Sequence, residues 1–391
     1  MLEPLAHIGR DPGTGGYLRD AWSPADLELR EWFAGEAARR GLALREDRNG
    51  NLWAWWGDPS PARPGVVTGS HLDSVRQGGA YDGPLGVVSA FAALDVLRER
   101  GVEPSAPVGV ACFTDEEGAR FGVPCVGSRL LTGVLAPERA LGLTDDEGDT
   151  LADVLRKAGR DPDALGRDDE TLRAVGVFVE LHVEQGRGLV AEGRPVGVAG
   201  AIWPHGRWRF DFRGRADHAG TTRLVDRDDP MLPFARLVLA AREEAERLGV
   251  VATVGKVRVS PGNANAIPGL VSAWLDARGP EERAVRELVA ALTGAAAVQE
   301  ESWTPEVRFD AALRDRLARV AGAQDRGEPA PILPTGAGHD AGILAAAGVP
   351  SAMLFVRNPT GVSHSPQEHA ERADCEAGVV ALADVLEDLC R

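Results

Sequence analysis

The chain has 391 residues, 44% of them hydrophobic, and a formal net charge of −16; that length and mixture suit a soluble globular protein of two or three domains with a sizeable core. The charge excludes a general binder of nucleic acid or anionic membranes, since both need an excess of Lys and Arg. No run of about 18 apolar residues is present to span a bilayer.

In chain order, "MLEPLAHIGRDPGTGGYLRD" has no basic region followed by an apolar core, so no signal peptide is read there. Residues 24–40 read as an amphipathic helix, with Ser23 as N-cap, Pro24 in the first turn and Gly41 as the stop. "NGNLWAWW" reads as a hairpin strand. "GVVTGS", "PVGVACF", "VGVFVEL" and "PSAMLFV" are short apolar runs with helical patterns between them, of which "LGVVSAFAALDVLRERG" is the clearest. Strands alternating with helices predict an α/β fold with a helix-covered sheet. The acidic stretch 144–171 reads as a surface excursion with one helix.

From about Gly206 to Asp310 the pattern changes. "RWRFDFRG" alternates with period 2, as a half-exposed strand does. A helix follows in "PMLPFARLVLAAREEAERLG", then strands in "VATVGKVRVS" and "LVSAWLDARG", a helix near 280–294 and the strand "EVRFD". This β-α-β-β-α-β order predicts an α+β unit, a small sheet with two helices on one face. It is placed as an inserted domain, residues 207–310, between two pieces of a main domain, 1–206 and 311–391. Cys112, Cys125, Cys375 and Cys390 are scattered without a C-x-x-C, so neither a disulfide framework nor structural zinc is expected, and a reducing cytoplasm fits.

Four of the apolar strands run into metal-type side chains. "GVVTGS" leads to His71 and Asp73; "PVGVACF" to Asp115, Glu116 and Glu117; "VGVFVEL" to His182 and Glu184; "PSAMLFV" precedes "RNPTGVSHSP" with His364. Asp82 lies in the Gly-rich "GGAYDGPLG", just before a helix. Ligands of open α/β sheets sit outside the carboxyl ends of the strands, so these residues converge on one edge. Each has an ordinary structural reading alone, as a hydrogen-bonded His, a solvated acidic loop or a turn; together they predict a metal site. His71, Asp82, Glu117, His182 and His364 offer three imidazoles and two carboxylates. If Asp82 bridges two ions, each ion has three protein ligands, a mixed N/O set suited to Zn²⁺, Mn²⁺, Co²⁺ or Ni²⁺. Glu116 and Glu117 can then divide the labour, one as ligand and one as general base for water. Asp73 is placed to orient the His71 ring.

"GSHLDSV", "YDGPLGV", "DEEGARF", "ELHVEQG", "DHAGTT", "NANAIPG", "LDAR", "GAGHDA" and "GVSHSP" occur in this order. From about residue 25 to 385 the chain resembles the dimetal amidohydrolases that include N-carbamoyl-L-amino acid hydrolases, allantoate amidohydrolases and β-ureidopropionases, within the aminoacylase and zinc-exopeptidase superfamily. The resemblance implies that His71 and His182 hold one ion and Glu117 and His364 the other, with Asp82 bridging and Glu116 as catalytic base. It implies substrate binding by Gln185, Asn265 and Arg278, with Arg278 gripping a carboxylate, and places His339 near the scissile carbonyl. His218 would reach into a partner subunit's site, which implies a homodimer whose insert closes as a lid.

His182 stands where peptidase relatives usually carry a carboxylate, so the expected substrate is a small ureido acid rather than a peptide. The alternatives are an aminoacylase, dipeptidase or N-formyl-amino-acid deformylase using the same site, and a non-catalytic metal-binding relative. Two positions depart from the family pattern. Arg223 replaces a proline after "HAGTT", and Arg357 replaces a neutral residue in "LFVRNPTGVSHSP". Arg357 is therefore taken as a candidate reader of a second anionic or carbonyl-rich substrate group, as in allantoate.

Overall fold

The structure is a computed structural model that describes residues 1–391 apart from Gln324. The chain forms β1 (Ala43–Glu46), β2 (Leu52–Trp56), β3 (Gly65–His71), β4 (Val108–Phe113), β5 (Val175–Val183) and β6 (Val196–Ile202). It continues through β7 (His205–Arg213), β8 (Asp217–His218), β9 (Val251–Ser260), β10 (Ala266–Ile267), β11 (Leu270–Arg278) and β12 (Ala297–Thr304). It returns with β13 (Val307–Arg308), β14 (Ile332–Thr335) and β15 (Ser351–Val356). Two compact units result, Met1–Gly200 with Arg308–Arg391, and Ala201–Val307.

In the first unit the order is β1-β2-β4-β3-β5-β15-β6-β13, with β14 also on β6. The four central strands β4, β3, β5 and β15 are parallel, flanked by antiparallel β2 and β6. Every residue of β3, β4 and β15 is buried, as expected of strands covered on both faces. The helix Pro84–Glu99 packs Leu85, Phe91, Leu94 and Leu97 into one core with Leu382, Val385 and Leu386 of the helix Arg372–Cys390. Ser23 caps the helix Pro24–Arg39, accepting a hydrogen bond from Asp26 N–H at 3.3 Å. Because β3 and β5 are parallel with Gly69 opposite Glu180, His71 and His182 stand level at the same sheet edge.

The 144–171 stretch differs from its sequence reading. It holds the helix Leu151–Lys157 and starts a second, Asp169–Ala174. Thr150 and Asp168 each accept a hydrogen bond from a backbone N–H three residues on, so each starts its own helix. The single-helix expectation overlooked the second cap.

The second unit is a four-stranded antiparallel sheet, β12-β7-β11-β9, with β8 and β10 as a separate short pair. The helices Met231–Leu248 and Glu282–Leu292 cover one face, packing Leu237, Ala241, Leu288 and Leu292 on Phe210, Phe212, Val271 and Leu275. The observed class is α/β with an inserted β-α-β-β-α-β unit, but the unit's last strand is β12, Ala297–Thr304, and not the expected "EVRFD", whose residues 307–308 form β13 at the end of the first sheet. Among the described residues no helix is long and apolar enough to cross a membrane.

Candidate metal centre

β3 delivers His71 and β5 delivers His182 to the carboxyl edge of the parallel strands, with ring centroids 5.9 Å apart. His71 Nδ1 lies 3.0 Å from the Asp73 carbonyl oxygen, and His182 Nδ1 lies 2.9 Å from that of Val183. A carbonyl only accepts, so in each ring Nδ1 carries the proton and Nε2 presents a lone pair. Both Nε2 atoms are buried with no hydrogen-bond partner. Asp82 Oδ1 lies 3.6 Å from the first and 3.2 Å from the second. The loop of Asp82 comes this close because the next residue is Gly83 with φ +81°; a Cβ there would fall 2.3 Å from the His71 ring.

The other Asp82 oxygen serves a second group. His364 Nε2 is 3.4 Å from Asp82 Oδ2 and 3.4 Å from Glu117 Oε2. His71, Asp82 and His182 thus form one candidate ligand group and Asp82, Glu117 and His364 another, sharing Asp82. Ligand atoms at about 2.1 Å from one tetrahedral ion sit about 3.4 Å from each other. The separations of 3.2–3.6 Å therefore fit divalent cations. Two buried lone pairs with no donor to meet them are the observation that carries this fit.

The electrostatics agree. Burial would lower the His71 pKa, but Glu116, Asp73 and Asp82 raise it well above the usual imidazole value. Burial is likewise outweighed at His364, where Asp82 and Glu117 raise the pKa to about 9. At Asp82, burial is overcome by His182, His364 and His71, which hold the carboxyl well below the ordinary range. Burial pushes Glu117 up to about 7, with Asp82 adding to it. The same burial pushes Glu116 well above the carboxylate range, His71 opposing and Asp340 and Glu117 adding. The field that raises proton affinity here also attracts a divalent cation.

The loop after β4 presents the acidic triplet. Asp73 accepts hydrogen bonds from Glu116 N–H at 3.2 Å and Glu117 N–H at 3.0 Å. Asp73 orients His71 through its carbonyl, with Oδ1 3.6 Å from the same Nδ1, while its carboxylate also holds the loop. Glu116 Oε2 lies 3.7 Å from His71 Nε2, and its Oε1 is 3.3 Å from the Cys125 thiol. Asp115 is buried, with φ +54° and no hydrogen-bond partner for either carboxylate oxygen. Burial pushes its carboxyl well above the ordinary value, helped by Asp73, Asp26 and Asp20.

Of the remaining sequence candidates, Gln185 donates to Asp82 Oδ2 at 2.8 Å and to Ser363 Oγ at 3.2 Å. The buried His339 ring packs 4.5 Å from that of His182. The first unit thus brings together His71, Asp82, Glu116, Glu117, His182, Gln185, His339 and His364. His218, Asn265 and Arg278 lie in the second unit, within its own networks. His218 Nδ1 accepts from Gly220 N–H at 3.0 Å and Thr221 N–H at 3.2 Å, which places the proton of the neutral ring on Nε2. The backbone carbonyl of Asn265 accepts from Ala219 N–H at 3.0 Å. Arg278 closes on Asp276 with Nε at 2.6 Å and Nη2 at 2.9 Å.

Arg357 Nε and Nη2 both donate to Asp374 of the helix Arg372–Cys390, each at 2.9 Å, a two-point pairing like that of Arg278 with Asp276.

Sequence reasoning missed Glu180, Asp340 and Glu368. Glu180 is buried in β5, accepting from Ser70 Oγ at 2.7 Å and Ala341 N–H at 3.1 Å. Its signal was a carboxylate inside an apolar parallel strand. Asp340 is buried and accepts from Ser128.

Comparison with known proteins agrees with the geometry. Residues 67–388 match the peptidase family M20/M25/M40. The chain is 38% identical to the N-carbamoyl-L-amino acid amidohydrolase of Geobacillus stearothermophilus, over 97% of this chain and 95% of that one. It is 32% identical to the allantoate amidohydrolase of Escherichia coli strain K12, over 98% and 95%. Among solved structures, an amidase of the hydantoinase/carbamoylase family from Burkholderia vietnamiensis superposes with a TM-score of 0.91 at 31% identity, covering 100% of this chain and 95% of that one.

Proposed function

The chain belongs to the peptidase family M20/M25/M40 as an amidohydrolase acting on C–N bonds, and from that premise we propose that it hydrolyses the linear ureido C–N bond of a small carboxylate. The substrate class is allantoate or an N-carbamoyl-L-amino acid, and the products include ammonia and CO₂. The observation that supports this most directly is the pair of ligand groups sharing Asp82, with the imidazole of His182 in one of them. The relatives named for carbamoyl and allantoate substrates, at 38% and 32% identity, support the same reading.

His71, Asp82 and His182 would hold one divalent ion, and Asp82, Glu117 and His364 a second; Mn²⁺, Zn²⁺, Co²⁺ and Ni²⁺ suit the donors. When bound, such ions supply Lewis acidity that makes water a nucleophile near neutral pH. Glu116 takes the proton from the attacking water; its buried carboxyl, with raised proton affinity, suits that task. Arg278, held in orientation by Asp276, grips the substrate carboxylate together with Asn265. His218 presents Nε2–H, the donor needed to stabilise a developing oxyanion, and His339 assists. Glu116 returns the proton to the departing nitrogen, ammonia leaves, and the remaining carbamate loses CO₂. Because His218 serves a partner's site in this scheme, the protein acts as a homodimer with the insert as lid. Arg357 donates to Asp374 through two nitrogens, as Arg278 does to Asp276, and stays a candidate reader of a second anionic or carbonyl-rich substrate group.

The test is ammonia release by Mn²⁺-reconstituted protein, with allantoate and a panel of N-carbamoyl-L-amino acids side by side. Release from either class supports the reading and names the substrate. Silence on both, with N-formyl or N-acyl substrates cleaved instead, would overturn the ureido assignment while keeping the metal site.

A further inference from the structure

The mechanism above gives no part to Glu368, a carboxylate only 5% exposed beside the metal centre. It is not among the candidate ligands. One oxygen, Oε1, accepts from both Tyr81 N–H and Asp82 N–H, each at 2.9 Å. The other, Oε2, accepts from Ser363 Oγ at 3.1 Å. Ser363 immediately precedes His364 and also reaches Asp82 Oδ2 at 3.2 Å. One side chain therefore ties together the turn carrying Asp82 and the loop carrying His364, which lie more than 280 residues apart in sequence.

Two further observations show that the tie is built in. A Cβ at Gly79 would fall 2.4 Å from Glu368 Cβ and 2.5 Å from Oε1, so the backbone approaches the carboxylate as closely as only glycine allows. The stretch Gly79–Gly83 is thus held at one end by Glu368 and at the other by the His71 ring. On the opposite side, His364 sits at φ +55°, a left-handed backbone that persists only when its surroundings impose it. Asn358 shapes the approach to it, accepting from Thr360 N–H and Gly361 N–H and donating to the Val362 carbonyl.

We propose that Glu368 is a positioning residue that clamps the Asp82 turn to the His364 loop and so sets the spacing of the ligand group Asp82, Glu117 and His364. The proposal rests on the reading of these residues as metal ligands. The clamp works through hydrogen bonds accepted from two amides and one hydroxyl, so the shape of the group matters more than its charge. An amide at this position keeps the geometry: its carbonyl accepts from Tyr81 and Asp82, and its NH₂ donates to Ser363, whose own proton goes to Asp82.

The experiment is calorimetric titration of the chelator-stripped full-length protein with Mn²⁺, comparing the wild type with Glu368→Ala, Glu368→Gln and Ser363→Ala. Glu368→Ala is expected to weaken the second Mn²⁺ by about 10- to 100-fold, the usual consequence of removing a group that orients ligands. Glu368→Gln should stay within a few-fold of wild type, and Ser363→Ala should fall between the two. At saturating Mn²⁺, kcat of Glu368→Ala should recover substantially, because the residue touches neither substrate nor attacking water. Unchanged Mn²⁺ affinity in Glu368→Ala overturns the clamp, and so does Glu368→Gln weakening as much as Glu368→Ala. If Glu368→Ala does not fold, Ser363→Ala decides, since it leaves Glu368 and its amide bonds intact: wild-type affinity there overturns the proposal. A wild type that binds no Mn²⁺ would instead sink the metal reading on which all of this stands.

Discussion

The two units contain sheets of opposite kind. In the first, the central strands are parallel and every residue of β3, β4 and β15 is buried. In the second, β7 alternates buried and partly exposed positions along its length, with helices on one face only. A polar side chain is therefore expensive in the first sheet and ordinary in the second. Each carboxylate or imidazole on the parallel strands stands out against an apolar background and marks chemistry. On the open face of the insert, Arg207 and Arg209 point the same way as Trp274 and Asp276, and charge there carries little information by itself.

The sharpest way to break this contrast is at Glu116. Glu116→Gln keeps size and removes the base, so kcat should fall by at least about 10³-fold, near the upper range for a general acid–base group. Metal content, measured on the same sample, should stay near wild type. Full activity in this variant would remove the buried carboxylate of the first unit from the mechanism.

Next in size is the core that holds the parallel sheet. Leu94→Ala removes a fully buried side chain of the helix Pro84–Glu99, the helix that follows the Asp82 turn. A loss of about 2–5 kcal/mol in unfolding free energy is expected from denaturant titration. A loss below about 1 kcal/mol would mean that the first unit packs less tightly than its burial implies.

Arg278 tests whether one charge on the open face differs from its neighbours. Arg278→Lys keeps the charge and loses the planar fork, so KM should rise by about 10-fold or more with a smaller change in kcat. The same exchange at Arg207, two strand positions from Arg209 on β7 and bound to the same Asp276, should leave KM within about two-fold. Equal effects at both positions would show that the face acts as a whole.

This contrast also governs what the sequence made legible. The convergence of His71, Asp82, Glu117, His182 and His364 could be foreseen because four of them come at or after the ends of apolar strands that stop at one edge, with Asp82 in the Gly-rich loop between the first two. The first five elements of the insert were legible because period 2 and period 3.6 alternate there, whereas the last strand was placed on "EVRFD" because the polar "AVQEESWT" of β12 carries no apolar alternation. Glu180 was passed over because a carboxylate next to His182 was absorbed into the motif around it. Glu368 was passed over because its partners, Tyr81 and Asp82, are distant in sequence and offer backbone amides, which leave no trace in residue identity. The pairing of Arg357 was passed over for a related reason: its partner Asp374 lies 17 residues away on a helix that carries no motif. Pairings set by tertiary approach, unlike those set by strand direction, are not written in local pattern.

The smallest expected effect lies at the edge of the insert, where the contrast is most exposed. β9 is an outer strand of the four-stranded sheet, and its Val257 and Val259 are 41% and 38% exposed although they pair with the fully buried Ala273 and Val271. In an isolated subunit, Val257→Thr removes little buried area, so unfolding free energy should change by less than about 0.5 kcal/mol. An outer strand with apolar side chains is also a ready surface for strand pairing with a second chain. In the homodimer proposed here, a strand covered by a partner would respond more strongly, and the response would depend on protein concentration because folding and association are then linked. Measuring the denaturation midpoint of Val257→Thr at two protein concentrations separates the cases. A small, concentration-independent change leaves β9 as a solvent edge and moves any subunit contact to another surface of the insert. A larger, concentration-dependent change makes this open sheet as context-bound as the parallel one, with the second half of its cover supplied by another copy.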